Sequence, residues 1–352
     1  MPGIPSFKGL TAVVTGASSG MGRELAVLLA REGCHLALCD VSMGALEETK
    51  AIIVSRSDVL VTVHNCDVAS TESIVAFRAA VEAAHPNGWH LLFNNAGVAG
   101  TGPFLDMPKA MFDKIFDVSF VGVVECTRQF LPRIVEQPYG AVVNTSSINA
   151  FWSALGPAKW PVETPPHAPY SAAKAAIRAF TDALLVDSYQ NFPHVTVACV
   201  HPGHVGTGIA RMELSPGGPS EKQMDALKDQ LVRNGLRSRA QVGDMSVEEM
   251  QDMLVKHFKR HAPTSARDAA RSILKGVQRG DSRILIGEDA VVVDWLARLF
   301  PRLMYNDTFF LGVFFPWMMG ARAIGAPLGR FLYPVVMGSM LFLGLGRLRG
   351  RL

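Results

Sequence analysis

The stretch TGASSGMG, residues 15–22, decides the fold of this chain. It directly follows an apolar run, Leu10–Val14, and directly precedes a helix-like pattern, Glu24–Ala30. A strand, a glycine turn and a helix in this order build a site for the pyrophosphate of a dinucleotide. The physical reason is that the first turn of the helix offers free N–H groups and the positive end of the helix dipole.

The glycines of this turn have separate tasks. Gly16 permits the tight turn, Gly20 lets the backbone approach a phosphate, and Gly22 lets the helix and the strand pack closely. The predicted phosphate-binding residues of the turn are Gly16, Ser18, Ser19, Gly20, Met21 and Gly22. Because glycine-rich turns are common, the motif gains its meaning from residues elsewhere in the chain.

Strand-like runs alternate with helical patterns beyond the turn. The predicted strands are Leu10–Thr15, His35–Cys39, Leu60–Asn65, Leu91–Asn94, Ala141–Ser146, Thr196–Val200 and Arg283–Ile286. Helical spacing occupies the segments between them, as in Glu24–Glu32, Thr71–Ala84, Met111–Leu131 and Ala172–Gln190. This alternation predicts an α/β fold, a doubly wound, Rossmann-like parallel sheet of about seven strands. We assign residues 1–290 to this domain, with a helical insertion at 213–263, and residues 291–352 to an apolar C-terminal extension.

The composition excludes several classes of protein. A formal net charge of +3 is too small to favour nucleic acid as a partner, and the 49% of hydrophobic residues suffices for a sizeable core. The five cysteines are scattered and form no Cys-x-x-Cys pair, which favours reduced thiols over a disulfide or zinc framework. The opening MPGIPSFKG is too short and too polar for a signal peptide, so we expect a cytoplasmic protein.

Polar residues follow the predicted strands, at the sheet edge where ligands bind. Asp40 ends the second strand, where an acid accepts hydrogen bonds from the adenosine ribose hydroxyls and repels a 2′-phosphate. Neither Ser19 nor Val41 supplies a compensating cation, so the sequence favours NAD over NADP. Arg23 is the cation that would reverse this preference, although we expect it to point along the helix.

Two further strand ends carry polar residues. Asp67 follows the third strand, and the run Asn94-Asn95-Ala96-Gly97 follows the fourth. Short polar side chains at these positions either face the adenine or brace neighbouring strand ends.

Tyr170-Ser-Ala-Ala-Lys174 opens a helix and places two reactive side chains on one face. Reduction of a ketone by a hydride needs a proton for the developing alkoxide, and a nearby ammonium is expected to lower the tyrosine pKa toward neutrality. Ser147, at the end of GAVVNTSS, is predicted to hold the substrate oxygen, and Ser146 competes for this role because strand residues alternate faces.

A histidine-containing turn, His201–Thr207, follows the sixth strand and is expected to present backbone groups and a hydroxyl near the nicotinamide amide. No cysteine or carboxylate lies at matching spacing to His201 and His204. We therefore expect turn or pocket-wall histidines there and no metal.

In order and spacing, these motifs resemble those of the short-chain dehydrogenase/reductase family, in its Thr-Gly-x-x-x-Gly-x-Gly and Tyr-x-x-x-Lys subgroup. The resemblance runs from about Lys8 to Gly287. It implies a nicotinamide cofactor and a homo-oligomer, with Tyr170 as general acid and base. Lys174 tunes Tyr170 and binds the nicotinamide ribose, while Ser147 positions the carbonyl. The cofactor contacts implied in addition are Asp67, Val68, Asn94, Ala96, Gly97, Pro202, Gly203, Val205 and Thr207.

The chain departs from the family pattern at two places. Serine stands at position 119 where the family usually has an asparagine, thought to hold a water that links the lysine to solvent. We predict that Ser119 supports activity with a weakened proton relay. The loop between Ser147 and Tyr170 is also longer than usual and rich in proline, with Phe151, Trp152 and Trp160 as apolar surface. It is predicted to wall a hydrophobic substrate pocket, or else to pack on the insertion or a subunit neighbour.

The insertion and the C-terminal extension leave alternatives open. The insertion at 213–263, with a helix expected after Ser246, is either a substrate lid or an exposed pair of helices. In the extension, arginines flank the apolar runs Thr308–Ala321 and Phe331–Gly346. Each run is shorter than the roughly 20 residues that a helix needs to span a bilayer. This pattern favours association with a membrane surface over a subunit interface or substrate cover, and a true span least.

The sequence thus predicts an enzyme that transfers a hydride between nicotinamide and a lipophilic secondary alcohol, ketone or aldehyde. A noncatalytic nucleotide-binding scaffold is the main alternative, which Ser119 makes conceivable and Ser147, Tyr170 and Lys174 oppose. Sugar-nucleotide epimerases fit poorly, because they usually space the glycines as Gly-x-x-Gly-x-x-Gly.

Overall fold

The computed structural model describes residues 1–100, 104–152, 167–211, 218–219, 221–299 and 301. The strands within these residues are β1 (Thr11–Thr15), β2 (His35–Asp40), β3 (Val61–Asn65), β4 (Leu91–Asn94), β5 (Gly140–Thr145), β6 (Val195–Pro202), β7 (Val205–Gly206), β8 (Thr264–Ser265) and β9 (Arg283–Ile286). The helices are α1 (Gly20–Arg31), α2 (Met43–Val54), α3 (Thr71–Ala84), α4 (Lys109–Phe116), α5 (Gly122–Val135), α6 (Ala168–Asn191), α7 (Glu221–Arg233), α8 (Val247–His261), α9 (Ala266–Arg279) and α10 (Glu288–Leu299).

Seven of these strands form one parallel sheet in the order β3-β2-β1-β4-β5-β6-β9. They are the seven strands that the sequence predicts, with ends that differ by one or two residues. The predicted α/β doubly wound fold is therefore confirmed. The short strands β7 and β8 pair with each other beside the main sheet.

Helices cover both faces of the sheet, because its strands are apolar on both sides. On one face, Leu25 and Leu29 of α1 pack in a core with Ile273 and Val277 of α9. On the other face, α3, α5 and α6 bury a second core that contains the ring pair of Trp89 and Phe130, whose centroids are 5.3 Å apart. Three layers result, with the sheet in the middle.

The strand order reverses between β1 and β4, which are neighbours in the sheet although β2 and β3 separate them in sequence. The crossovers on either side of this point run in opposite directions, so a crevice opens beyond the carboxyl ends of the strands. Thr15, Asp40, Asn94, Thr145 and Pro202 end their strands at this edge. The fold thus brings the predicted site residues to one place.

The insertion contains α7 and α8, which share a small apolar core of their own that includes Leu227, Leu231, Met250 and Leu254. The helix predicted after Ser246 is present as α8, and Ser246 and Glu249 form a capping box at its start. Helix α7 contacts α4, where the Gln223 amide nitrogen lies 3.9 Å from the Met111 sulfur.

Helix α10 runs through the boundary at 290/291 that the sequence suggests between the domain and its extension. Val292, Val293 and Leu296 of this helix are buried, so the beginning of the extension packs with the domain. The apolar runs at 308–321 and 331–346, and most of the proline-rich loop including Trp160, lie outside the described residues. No helix within the described part of the chain has the length and apolar character to cross a membrane.

Candidate active site

The glycine turn has the backbone geometry that only glycine tolerates. Gly16 and Gly20 have φ values of +65° and +54°, in the left-handed region. A Cβ on Gly16 would lie 2.7 Å from the Cα of Ala96, and a Cβ on Gly22 would lie 2.1 Å from the carbonyl oxygen of Gly16. Helix α1 begins within this motif, at Gly20, and the side chain of its N-cap, Ser19, accepts no capping hydrogen bond. The first N–H groups of α1 are thus suited to a phosphate.

Asn95 holds the glycine turn from the neighbouring strand end. Its Nδ2 donates to the carbonyl oxygens of Thr15 and Gly16 at 3.1 and 3.2 Å. Its backbone N–H, like that of Ala96, donates to the Thr15 hydroxyl. The sequence-based site omits Asn95, because its contact to β1 depends on β1 and β4 being adjacent in the sheet.

Asp40 lies at the end of β2 beside the glycine turn, as expected. Its carboxylate accepts hydrogen bonds from the N–H of Ser18 at 3.1 Å and from the N–H of Ser42 at 3.0 Å. The guanidinium of Arg23 is directed to α2, where it donates to the Thr49 hydroxyl at 2.9 Å and to the Ala45 carbonyl at 3.0 Å. Arg23 therefore has its partners on α2, and the Asp40 carboxylate is the charged group beside Ser18.

The other polar strand ends differ in exposure. Asp67 is exposed and its carboxylate accepts from the N–H of Ala69 at 2.9 Å. Asn94 is 2% exposed, and its amide nitrogen donates to Asn144 at 2.8 Å and to Thr127 at 3.0 Å. The side chain of Asn94 thus braces β4 against β5, the second of the two roles considered for it. Val68 is buried and packs against Gly122. A Cβ on Gly122 would lie 2.5 Å from the Val68 carbonyl oxygen.

Ser147, Tyr170 and Lys174 come together at the start of α6. The Nζ of Lys174 lies 5.5 Å from the centroid of the Tyr170 ring and donates to the Thr145 carbonyl at 2.8 Å. The Ser147 hydroxyl lies near enough to Tyr170 to act on the pKa of its phenol. Ser146 points elsewhere, because its hydroxyl donates to the Lys174 carbonyl at 2.7 Å. The structure therefore selects Ser147 over Ser146 as the partner of the tyrosine.

Burial governs the ionisation of this group. It raises the pKa of Tyr170, against the opposing effect of the Ser147 hydrogen bond. Burial also lowers the pKa of Lys174 to about 8, because the ammonium loses its hydration. In this arrangement the net shift of the Tyr170 pKa is upward, opposite to the predicted lowering toward neutrality, because loss of hydration is its largest cause.

Ser119 is fully buried in a π-helical segment, Asp117–Val121, between α4 and α5. Its hydroxyl donates to the Val98 carbonyl at 3.1 Å and accepts from the Val98 N–H at 3.3 Å. A Cβ built on Gly97 would lie 3.3 Å from the Lys174 Nζ and 3.7 Å from the Ser119 oxygen. Ser119 and Lys174 therefore flank the same glycine, and Ser119 closes the loop that follows β4.

The turn after β6 reaches back to the glycine turn. A Cβ on Gly20 would lie 3.2 Å from the side chain of Thr207, whose hydroxyl accepts the N–H of Ile209. Pro202 ends β6, and Gly203 and Val205 continue the same turn. His201 is buried, and its Nδ1 lies 3.4 Å from the Ser147 carbonyl oxygen. Burial and the nearby Arg283 lower the pKa of His201 to about 3, so the ring is neutral.

Two histidines at the site have partners that spacing in the sequence did not reveal. His204 is paired with Asp289 of α10, at 2.8 Å between Nδ1 and a carboxylate oxygen. His167, just before α6, has its ring centroid 6.4 Å from that of Tyr170. No group of three His, Cys, Asp or Glu side chains able to hold a metal occurs in the described ranges.

Comparison with known proteins agrees with this geometry. The family model for short chain dehydrogenases matches residues 10–216. A Mycobacterium tuberculosis protein named "Putative oxidoreductase SadH" is 34% identical over 319 residues, which cover 89% of this chain and 99% of that protein. A short-chain dehydrogenase/reductase from Burkholderia phymatum, solved in complex with NAD, is 26% identical, with a TM-score of 0.66, and the match covers 87% of this chain and 98% of that one.

Levodione reductase has the same fold, with a TM-score of 0.60 at 23% identity over 81% of this chain and 99% of that structure. The family match covers more than half of this chain, and the match to SadH covers nearly the full length of that protein. The chain belongs to the short-chain dehydrogenase/reductase family and is an NAD(P)-dependent oxidoreductase.

Proposed function

We propose that the chain is an NAD-dependent enzyme that interconverts a lipophilic secondary alcohol and its ketone. The observation that carries the proposal is the convergence of Ser147, Tyr170 and Lys174 at the same sheet edge as the glycine turn. A noncatalytic scaffold on this fold would have no use for that group. Bound nicotinamide supplies or accepts the hydride of this reaction.

The cofactor site is formed by the glycine turn and by the turn after β6. The N–H groups at the start of α1 suit the pyrophosphate, and Thr207, close to Gly20, suits the nicotinamide end. Preference for NAD rests on Asp40, which lies beside Ser18 while Arg23 is bonded to α2. A carboxylate beside the ribose accepts hydrogen bonds from the ribose hydroxyls and repels a 2′-phosphate. The remaining predicted contacts, with Asp67, Val68, Ala96 and Gly97, belong to the same proposal.

The proton is handled by Tyr170. In ketone reduction, the phenol donates its proton to the carbonyl oxygen as the carbon accepts the hydride, and Ser147 donates a hydrogen bond that holds this oxygen. In the reverse direction the alcohol proton passes to Tyr170. Lys174 is buried and donates a hydrogen bond to the Thr145 carbonyl. In its protonated form, this lysine stabilises negative charge on the phenol oxygen of Tyr170.

The lipophilic character of the substrate is inferred from the surroundings of the site. Trp152, in the first part of the proline-rich loop, is 3% exposed, and Phe104 and Leu105, before α4, are 64% and 95% exposed. The contact of Gln223 on α7 with Met111 on α4 supports a lid function for the insertion. An apolar wall and a helical cover suit a substrate with an extended hydrocarbon part.

A spectrophotometric screen at 340 nm tests this function. Purified protein is given NADH or NADPH with aliphatic, aromatic and steroidal ketones, and NAD with the matching alcohols. We expect turnover of lipophilic substrates with a preference for NADH. Tight NADH binding without turnover of any substrate would favour the scaffold instead.

We further propose a cytoplasmic homo-oligomer whose C-terminal extension associates with an anionic membrane surface. The support is the arginine-flanked apolar sequence of the extension and the family resemblance. Fractionation of the full-length chain and a chain ending at residue 300 tests the membrane part, and light scattering tests the oligomer. Full-length protein that stays out of the membrane fraction without detergent would refute the membrane proposal.

A further inference from the structure

The pair of His204 and Asp289 stands out as an ionisable group that the reaction described above does not use. His204 lies two residues beyond the end of β6, and Asp289 lies in the first turn of α10. A single carboxylate oxygen of Asp289 accepts both the backbone N–H of His204 at 2.7 Å and its ring Nδ1 at 2.8 Å. Because 85 residues separate them in the chain, no local motif predicts the pair.

The surroundings of Asp289 are shaped to hold its carboxylate. Asp289 is 8% exposed, and Cβ atoms on Gly203 and Gly287 would lie 2.2 and 2.5 Å from its Oδ1. Burial alone would raise the pKa of Asp289, yet the hydrogen bonds and charge of His204 hold it below the usual value. Two glycines thus make room for a buried carboxylate that stays ionised.

This pairing fixes the orientation of the imidazole. An ionised carboxylate only accepts hydrogen bonds, so the Nδ1 of His204 donates to it. The Nε2 of the ring then faces away from Asp289. A histidine oriented in this way presents a positioned nitrogen, as a carboxylate-held imidazole does in other active sites.

The imidazole belongs to the turn after β6, at the same edge of the sheet as the catalytic group. Two other residues of this turn contact the site: the Nδ1 of His201 lies 3.4 Å from the Ser147 carbonyl oxygen, and a Cβ on Gly20 would lie 3.2 Å from the Thr207 side chain. The His204 side chain is 42% exposed, whereas its partner is buried. One edge of the ring is therefore open to a ligand.

A purely structural role explains only half of the arrangement. The backbone N–H of His204 alone would tie this turn to Asp289, and any residue except proline would supply it at position 204. The additional ring contact orients a side chain that remains accessible. Such an orientation suits a side chain that binds a ligand.

We propose that His204, oriented by Asp289, is a substrate-binding residue whose Nε2 forms a hydrogen bond with a second hydroxyl of the substrate. The inference rests on the proposed function and deepens it. The favoured substrates are lipophilic alcohols or ketones that carry a further hydroxyl near the reacting carbon.

Matched substrates separate this role from a structural one. The oxidation of 2-decanol, 1,2-decanediol and 2,4-decanediol by NAD is measured with the wild-type chain, His204→Phe and Asp289→Asn. Val291→Ala, at a 43% exposed position on the same helix, serves as the control. Thermal midpoints and NADH dissociation constants are recorded for each variant.

For at least one diol, we expect His204→Phe to lower kcat/KM about tenfold, mainly through KM, as the loss of one hydrogen bond implies. The value for 2-decanol and the dissociation constant of NADH should stay unchanged. Asp289→Asn should act in the same direction but more weakly, because a neutral amide holds the ring less firmly than the carboxylate. The control should match the wild type with all three substrates.

Equal losses with 2-decanol and both diols, or a parallel loss of NADH affinity, would overturn the inference while leaving the proposed function intact. Diols that are turned over no better than 2-decanol by the wild type, with no differential effect of His204→Phe, would also overturn it. Absence of wild-type turnover of any alcohol, here and in the screen, would instead remove the proposed function and this inference with it.

Discussion

The glycine turn and the proposed catalytic corner, which consists of Ser147, Tyr170 and Lys174, are specified in different ways. The turn is local: residues 15–22 adopt it because Gly16 and Gly20 have positive φ and because any Cβ at Gly22 would lie 2.1 Å from a backbone oxygen. The corner is assembled from strand β5 and helix α6, and burial controls its ionisation. Backbone sterics therefore specify cofactor binding, while desolvation of charged side chains specifies proton transfer, so the two should fail independently.

Tyr170→Phe should separate the two regions most strongly. Removal of the phenol oxygen should lower kcat/KM by about 10³-fold, the size of a general acid's contribution. Binding of NADH, followed by its fluorescence, should change little because the glycine turn is untouched. Retention of substantial turnover would show that another group donates the proton.

Gly22→Ala should produce the converse failure. The new methyl group would meet the Gly16 carbonyl at 2.1 Å, so strand and helix must move apart at the phosphate site. We expect the dissociation constant of NADH to rise about 30-fold, equivalent to about 2 kcal/mol of overpacking. Gly44→Ala, at a position with open space around its Cβ, is the control. Unchanged NADH affinity would contradict the steric account.

Asp40→Ser should sharpen the cofactor preference within the first region. Loss of the carboxylate removes both a ribose acceptor and the charge that repels a 2′-phosphate, so the kcat/KM ratio of NADH to NADPH should fall about tenfold. Glu47→Gln, an exposed acid on α2, makes the same change in net charge and should leave the ratio alone. A ratio that Asp40→Ser does not move would mean that this carboxylate does not select the cofactor.

Lys174→Met tests the role of burial at the catalytic corner through stability. The folded pKa of Lys174, about 8, lies below its ordinary 10.5, so the unfolded chain binds more protons between these values. Wild-type stability should therefore rise relative to the variant above pH 8, by about 1 kcal/mol between pH 7 and pH 9. Urea unfolding at the two pH values measures this. A difference that stays constant with pH would exclude the depressed pKa.

Ser119→Asn should have the smallest effect. If Ser119 sustains a weakened proton relay beside Lys174, the longer asparagine should raise turnover about twofold and shift the pH–rate profile. Ser119→Ala should change both in the opposite direction. If Ser119→Asn leaves turnover and the profile as they are, the relay hypothesis should be dropped.

Prediction from sequence succeeded where the signal is periodic or local. The seven strands, the helix after Ser246, the glycine turn and the family follow from runs of apolar residues and short motifs. Contacts between distant strand ends could not be read in this way. Asn95 and the Asp289 partner of His204 depend on which strands are neighbours, and the raised pKa of Tyr170 depends on burial that no spacing reports.

Deuterium transfer tests the central claim most directly, namely that one site both binds nicotinamide and moves its hydride to a carbonyl carbon under Tyr170. The protein is incubated with NADH fully deuterated at C4 and the ketone panel, and the products are analysed by mass spectrometry. The account predicts alcohols that carry one deuterium on the carbinol carbon with the wild type, and almost none with Tyr170→Phe at equal NADH occupancy. NADH binding by the wild type without deuterium in any product would contradict it.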